Sequence, residues 1–391
     1  MKKNSLVGVI SLIIVAVGCG GGHIGSGAAR IAKSSKFTAG IAHVAGNYGF
    51  SQSNFLVEGA QKISQLGSDS IFVYLTPWFR SQYPDKSGSN WPAATPTSVA
   101  QLAQAGPYDQ LFHLPFKTIV LTVYSFASKD YLPGFAQSQQ MQDAEENEFY
   151  QLTKYLYSRF SGTGKTFILK NWEGDWVGMG GQGKTNGNIP QNTAQDMIAW
   201  LKARQSGVTK ARNEANDSSM EVLNGAEVNR VLDYAQQGLS RVINAVVPKV
   251  GADMVTYSSY DSTAIGNDAG SMQKAFNQAL RTIEKLAPDP LGLGNRRILI
   301  SEYGLYENQL AGGTSWRSQA ILSTASQAGI YGAFLWNLYD NECKQPNGQT
   351  APVDAQIGNP ARPGNGNCRG LWVVRPDGST SAALKVLKRY W

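Results

Sequence analysis

Histidine and cysteine are nearly missing from this chain, with three of each in 391 residues. His23, His43 and His113 form no ligand pair, and no Cys-x-x-Cys motif occurs, so no metal site is expected. No Gly-x-Ser-x-Gly elbow offers a hydrolase serine. The sixth strand-like run, Val255 to Asp261, ends without the lysine of a Schiff-base aldolase. The run Gly178-Met179-Gly180-Gly181-Gln182-Gly183 has the spacing of a dinucleotide loop. It continues as loop to Pro190 instead of opening a helix, so no cofactor is expected. Gly162-Thr163-Gly164-Lys165-Thr166 lacks the first glycine of a phosphate loop, since Arg159 stands there, and it precedes a strand. Long apolar runs are scarce too: Leu6 to Val17 is too short to span a bilayer as a helix.

Charge is sparse and of both signs. Charged residues make up 16% and hydrophobic ones 42%, the balance of a globular protein. The net charge of +7 comes from scattered residues with a small cluster at Lys385, Lys388 and Arg389. That pattern is a solvated face, so no nucleic-acid partner is expected, and the chain is expected to be a monomer. Nine Trp and seventeen Tyr are many for this length. Such rings serve as stacking platforms for sugars and equally as core.

Strand-like and helix-like segments alternate. The strands are expected at Phe37–Val44, Ser70–Leu75, Thr118–Tyr124, Thr166–Asn171, Met220–Gly225, Met254–Ser258, Arg297–Ser301 and Gly332–Trp336. The clearest helices are Gln195–Ala215, Asn229–Val246, Ser271–Leu286, Ser315–Ala328 and Ser379–Tyr390. Eight apolar strands separated by helices read as one α/β domain, a (β/α)8 TIM barrel over residues 37–391. Long loops follow the second, fourth and eighth strands, on the face where such barrels build their sites.

Two glutamates end strands there. Glu173 follows Phe167-Ile168-Leu169-Lys170-Asn171-Trp172, and Glu302 follows Ile298-Leu299-Ile300-Ser301. A carboxyl at that end of a barrel strand, among Trp and Tyr, suits chemistry better than packing. Paired carboxyls suit glycosidic bond cleavage, with retention at about 5–5.5 Å separation and inversion at about 6.5–9.5 Å. Trp172 and Trp176 would keep the proton on an acid, whereas tyrosines and an arginine would keep a nucleophile charged.

With Glu173 on the fourth strand and Ser301-Glu302-Tyr303-Gly304 on the seventh, the chain resembles clan A of the retaining glycoside hydrolases. The resemblance implies Glu173 as acid/base, Glu302 as nucleophile and hydrolysis of a β-linked glycan by double displacement. It also implies Trp336, at the end of the eighth strand, as the floor under the sugar. Asn171 would hold the sugar, and Tyr257, Tyr260 and Arg80 are candidates to steady Glu302. Glu227 and Asn229 are candidates to line the cleft, and Trp78, Trp172, Trp176 and Trp316 are candidate platforms. Trp172 separates Asn171 from Glu173, where the clan has them adjacent, so Asp175 stays a second candidate donor. A transglycosylase on the same carboxyls and a non-catalytic glycan-binding lipoprotein are the alternatives.

The first 19 residues resemble a bacterial lipoprotein signal: Lys2 and Lys3, the apolar run, then Ala16-Val17-Gly18-Cys19. The resemblance implies a lipid on Cys19, a Gly/Ser-rich tether over residues 20–36, and a place in the cell envelope, held to a membrane. With Cys19 so used, Cys343 and Cys368 remain as an expected disulfide.

Overall fold

Eight short aliphatic runs become parallel strands in the computed structural model, which describes residues 36–391 apart from 89, 129–132, 311–313 and 356–361. Cys19 and residues 1–35 lie outside the described residues. The strands are β1 (Thr38–Ala42), β2 (Ser70–Leu75), β3 (Thr118–Val123), β4 (Thr166–Lys170), β5 (Glu221–Val228), β6 (Met254–Ser258), β7 (Ile298–Gly304) and β8 (Gly332–Trp336). Each pairs with the next, and β8 returns to β1 from Thr38↔Gly332 to Ile41↔Leu335, closing the barrel. The expected (β/α)8 architecture is the one found.

Both faces of each strand are buried, which is why the runs read as continuously apolar. Phe72, Val120, Ile168, Leu223, Met254, Leu299 and Phe334 fill the barrel. Their neighbours Val73, Leu121, Leu169, Val222, Val255, Ile300 and Leu335 face the surrounding helices. Gly40 makes room for the largest inward ring, because a Cβ there would stand 2.2 Å from Phe334. Asn337 fastens the seam above: its side chain donates to the Val44 carbonyl at 2.7 Å and accepts from the Val44 N–H at 3.1 Å.

Three local departures from the expected elements bear on the site. The helix expected over Asn229–Val246 is two short ones, Val231–Gln237 and Val242–Ala245, with a third, Val247–Val250, just beyond them. Gly238 ends the first in the left-handed conformation that glycine adopts freely. The fifth strand runs past Gly225 to Val228, so Glu227 belongs to the sheet. The seventh carries a bulge. Thr256 and Ser258 on β6 pair with Leu299 and Glu302, and Ile300 and Tyr303 pair with Ala333 and Leu335 on β8. Strict alternation after Leu299 would send Ser301 inward and Glu302 out. The extra residue lets both face the barrel.

Cys343 and Cys368 are disulfide-bonded across the loop after β8. Their sulfurs lie close to the Asp340 carboxyl but, being joined, present no thiolate to a metal. Among the described residues no helix is long and apolar enough to cross a membrane.

Candidate active site

A cavity of about 450 Å³ opens at the C-terminal ends of the strands. Ala45 beyond β1, Tyr74 on β2, Trp172 and Glu173 beyond β4, Asn229 beyond β5, Tyr260 beyond β6, Glu302 on β7 and Trp336 on β8 line it. Trp176, Arg230, Asp261 and Tyr306 complete much of the wall. The two glutamates separated by 129 positions in the sequence therefore share one pocket with aromatic sides.

Glu173 is 7% exposed and starts the short helix Gly174–Gly178. The segment lies close against β5 there, since a Cβ on Gly174 would stand 2.4 Å from the Glu227 carbonyl. Burial raises the Glu173 pKa well above the carboxylate range, and the charges of Glu302 and Glu227 add to it. Lys170 and a hydrogen bond from Trp176 oppose the shift. Glu302 is 3% exposed. Burial pushes it up to about 7, Lys170 pulls against that, and Glu227 adds to it. The carboxyl flanked by tryptophans is thus the better proton holder, and the one beside the ammonium is the better anion.

The cation is not the one expected. Arg80 is exposed, donates to the Pro92 carbonyl at 2.6 Å and lies over the Phe79 ring, so it does not pair with Glu302. Lys170 pairs instead, 3.5 Å from Glu302 and 3.1 Å from Glu227. The signal was in the sequence: a lysine in phase with inward Ile168, inside an otherwise apolar strand, needs buried anions.

Other expected contacts move likewise. Tyr257 faces outward from β6, and its hydroxyl donates to Asp261, with Ser262 at 2.7 Å, so it does not steady Glu302. Tyr260 takes the place beside the cavity, and its own pKa is raised by burial and by the charges of Glu302 and Glu173. Asn171 accepts the Glu227 N–H at 3.0 Å and ties β4 to β5 without lining the cavity, so it is not placed to hold a sugar. Glu227 is fully buried beneath the cavity. Asp175 is not part of the cavity wall either. It accepts backbone N–H bonds from Asn229, Arg230 and Val242 at 2.9, 3.0 and 2.8 Å, which leaves it a structural anchor and no proton donor.

Trp336 forms part of the floor and donates to Asn341 at 3.1 Å, while Tyr74 and Phe72 pack beside it. Trp172 and Trp176 reach the cavity. Trp78 is exposed against Tyr124, and Trp316 packs on the core, so neither lines it. His43 is buried between Phe55, Tyr83 and Tyr339, with Nε2 2.8 Å from the Phe55 carbonyl. Burial lowers its pKa to about 4, so it is a neutral packing residue.

Fold and site together define a closed parallel barrel with a paired-carboxylate cleft at its mouth. No family model and no curated protein matches the chain. Solved glycoside hydrolases of family 5 share its fold. One is a xyloglucan-specific endo-beta-1,4-glucanase from a metagenomic library, in complex with cellotriose, at TM-score 0.55 and 11% identity over 93% of this chain and 100% of that one. A second, from Streptomyces cattleya in complex with GlcNAc, gives 0.54 and 11% over 91% and 79%. A broad-specificity endoglucanase from Clostridium longisporum gives 0.51 and 8% over 93% and 99%. At such identities the likeness is one of fold.

Proposed function

We propose that the chain is a retaining glycoside hydrolase acting on β-linked glycans, with Glu173 as acid/base and Glu302 as nucleophile. The observation that carries this reading is two buried carboxyls facing one aromatic-walled cavity in opposite electrostatic surroundings. In the first step Glu173 gives its proton to the glycosidic oxygen while Glu302 attacks the anomeric carbon, forming a glycosyl ester. The ester removes the Glu302 charge, which had raised the Glu173 pKa. Glu173 can then take a proton from water, whose oxygen displaces Glu302. Trp336 and Trp172 supply faces for the sugar ring.

β-Glucans are the first substrates to test, because fold relatives are endoglucanases and a xyloglucan-specific glucanase. Incubation with β-1,4-glucan, xyloglucan, mannan and xylan, followed by NMR of the fresh anomeric signal, reads activity and stereochemistry together. The expected product is first formed as the β-anomer. A first-formed α-anomer would overturn retention, and no cleavage with measurable binding would make the chain a glycan-binding protein.

We also propose attachment to the cell envelope through a lipid on Cys19, supported by the residues that precede it. Labelled palmitate is expected in the wild type and not in Cys19→Ala, and equal labelling of both would refute it.

A further inference from the structure

Lys170 belongs to no part of the cavity wall, yet it is fully buried directly beneath it. Its ammonium lies 3.1 Å from Glu227, 3.5 Å from Glu302 and 4.6 Å from the centre of the Phe72 ring. Glu227 is in turn held from several strands. Ser258 donates to it at 2.6 Å, Ser301 at 2.8 and 2.9 Å to its two oxygens, and Thr256 donates as well. Ser301 is the residue that the β7 bulge turns inward, immediately before Glu302. Glu227 therefore grips both the cation and the backbone that carries Glu302.

We propose that Lys170, clamped by Glu227, is the positioning residue of this site: its ammonium keeps the Glu302 carboxylate ionised and fixes one of its oxygens, leaving the other for the cleft. The inference rests on the reading of Glu302 as nucleophile only for its catalytic consequence. The groups that face Glu302 are Lys170 and Glu173 from β4 and the turn after it, Glu227 from β5, Ser258 and Tyr260 from β6 and beyond, and Tyr74 from β2. Of these Lys170 carries the positive charge. An ammonium at this distance in a buried site strongly favours the ionised carboxyl. Glu227 acts in two opposed ways, because it orients the cation but also repels Glu302 and shares the ammonium with it.

This arrangement makes a prediction that simple loss of packing does not. Removing the cation and removing the clamp should move the ionisation of Glu302 in opposite directions. The test is a carbon-13 NMR titration of the purified full-length chain labelled at glutamate side-chain carboxyls. It is run in a Glu173→Gln background, so that the Glu302 signal is read without a second titrating carboxyl facing the same cavity, and the signal is assigned by its loss in Glu302→Gln. Lys170→Met should raise the Glu302 midpoint by about 1–3 pH units. Glu227→Gln, which keeps one acceptor oxygen for Ser258 and Ser301, should lower it. The double variant Lys170→Met/Glu227→Gln removes both members of the buried Lys170–Glu227 pair and should lie above Glu227→Gln, so that this second comparison reads the loss of the ammonium even if Lys170→Met folds poorly. With Glu173 restored, the acidic limb of kcat/KM should follow the same order. A midpoint of Lys170→Met that does not rise, a double variant that does not lie above Glu227→Gln, or a shift of Glu227→Gln upward would overturn the proposal. If the midpoints move as stated and no variant or wild type cleaves any glycan, the role of Lys170 stands and the hydrolase reading fails.

Discussion

Glu302→Ala is expected to reduce turnover of a β-glucan by on the order of 10⁴–10⁶, with little change in how tightly the glycan is held. The carboxyl proposed to form the covalent intermediate has no substitute nearby, since Glu227 is sealed below the cavity by Lys170 and three hydroxyls. Azide can enter the space that the side chain vacates. It would attack from the same face and yield a glycosyl azide of inverted configuration, the α-anomer. The protein should otherwise stay folded, because Glu302 is repelled by Glu173 and Glu227 and its loss relieves a buried like-charge cluster. A variant that retained wild-type turnover would move the nucleophile elsewhere.

Glu173→Ala is expected to fail in a different way. On a natural glycan, whose leaving group needs a proton, the rate should fall by about 10²–10⁴. On a dinitrophenyl glycoside the first step needs almost no protonation, so the glycosyl ester on Glu302 should still form and should accumulate. Azide should then release it with retained configuration. The pH profile supplies a second signature. On the proposed roles the high-pH limb of the wild type should report loss of the Glu173 proton, which burial and the neighbouring carboxylates retain to pH values above the ordinary carboxylate range. That limb should vanish in Glu173→Ala, while the low-pH limb, where Glu302 is protonated, should remain. If azide gives the opposite configurations in the two variants, the two roles are exchanged.

The barrel and the two glutamates were legible because their signals are local. Each carboxyl follows a short aliphatic run, and eight such runs spaced by amphipathic segments leave few other ways to bury both faces of each strand. The partners of those carboxyls were not legible, because which side chain meets which across a barrel depends on register and on inward phase. Arg80 and Tyr257 are suitable residue types beyond the second strand and on the sixth, but one points to solvent and the other to the helical layer. Lys170 has the right phase and was visible only as an odd charge within a strand. Glu302 itself faces the cleft because of an extra residue at Ser301 that no alternation pattern announces. The extension of β5 to Val228 was hidden for a related reason. Glu227 looks like an end to a strand until Lys170, Thr256, Ser258 and Ser301 satisfy it. His43 forms no ligand pair in the sequence, and its place among Phe55, Tyr83 and Tyr339 makes it packing.

The central claim is that Glu302 forms a covalent bond to a sugar. A dinitrophenyl 2-deoxy-2-fluoro-β-glycoside of the sugar released from the cleaved glycan tests it most directly. The fluorine slows both steps, and the good leaving group restores the first, so the ester persists long enough for intact-mass and peptide-mapping measurements. One added fluoroglycosyl group is expected, located on the peptide that carries Glu302, present in Glu173→Ala and absent in Glu302→Gln. A protein that hydrolyses the parent glycan but takes up no such group, or takes it up on another residue, would contradict it.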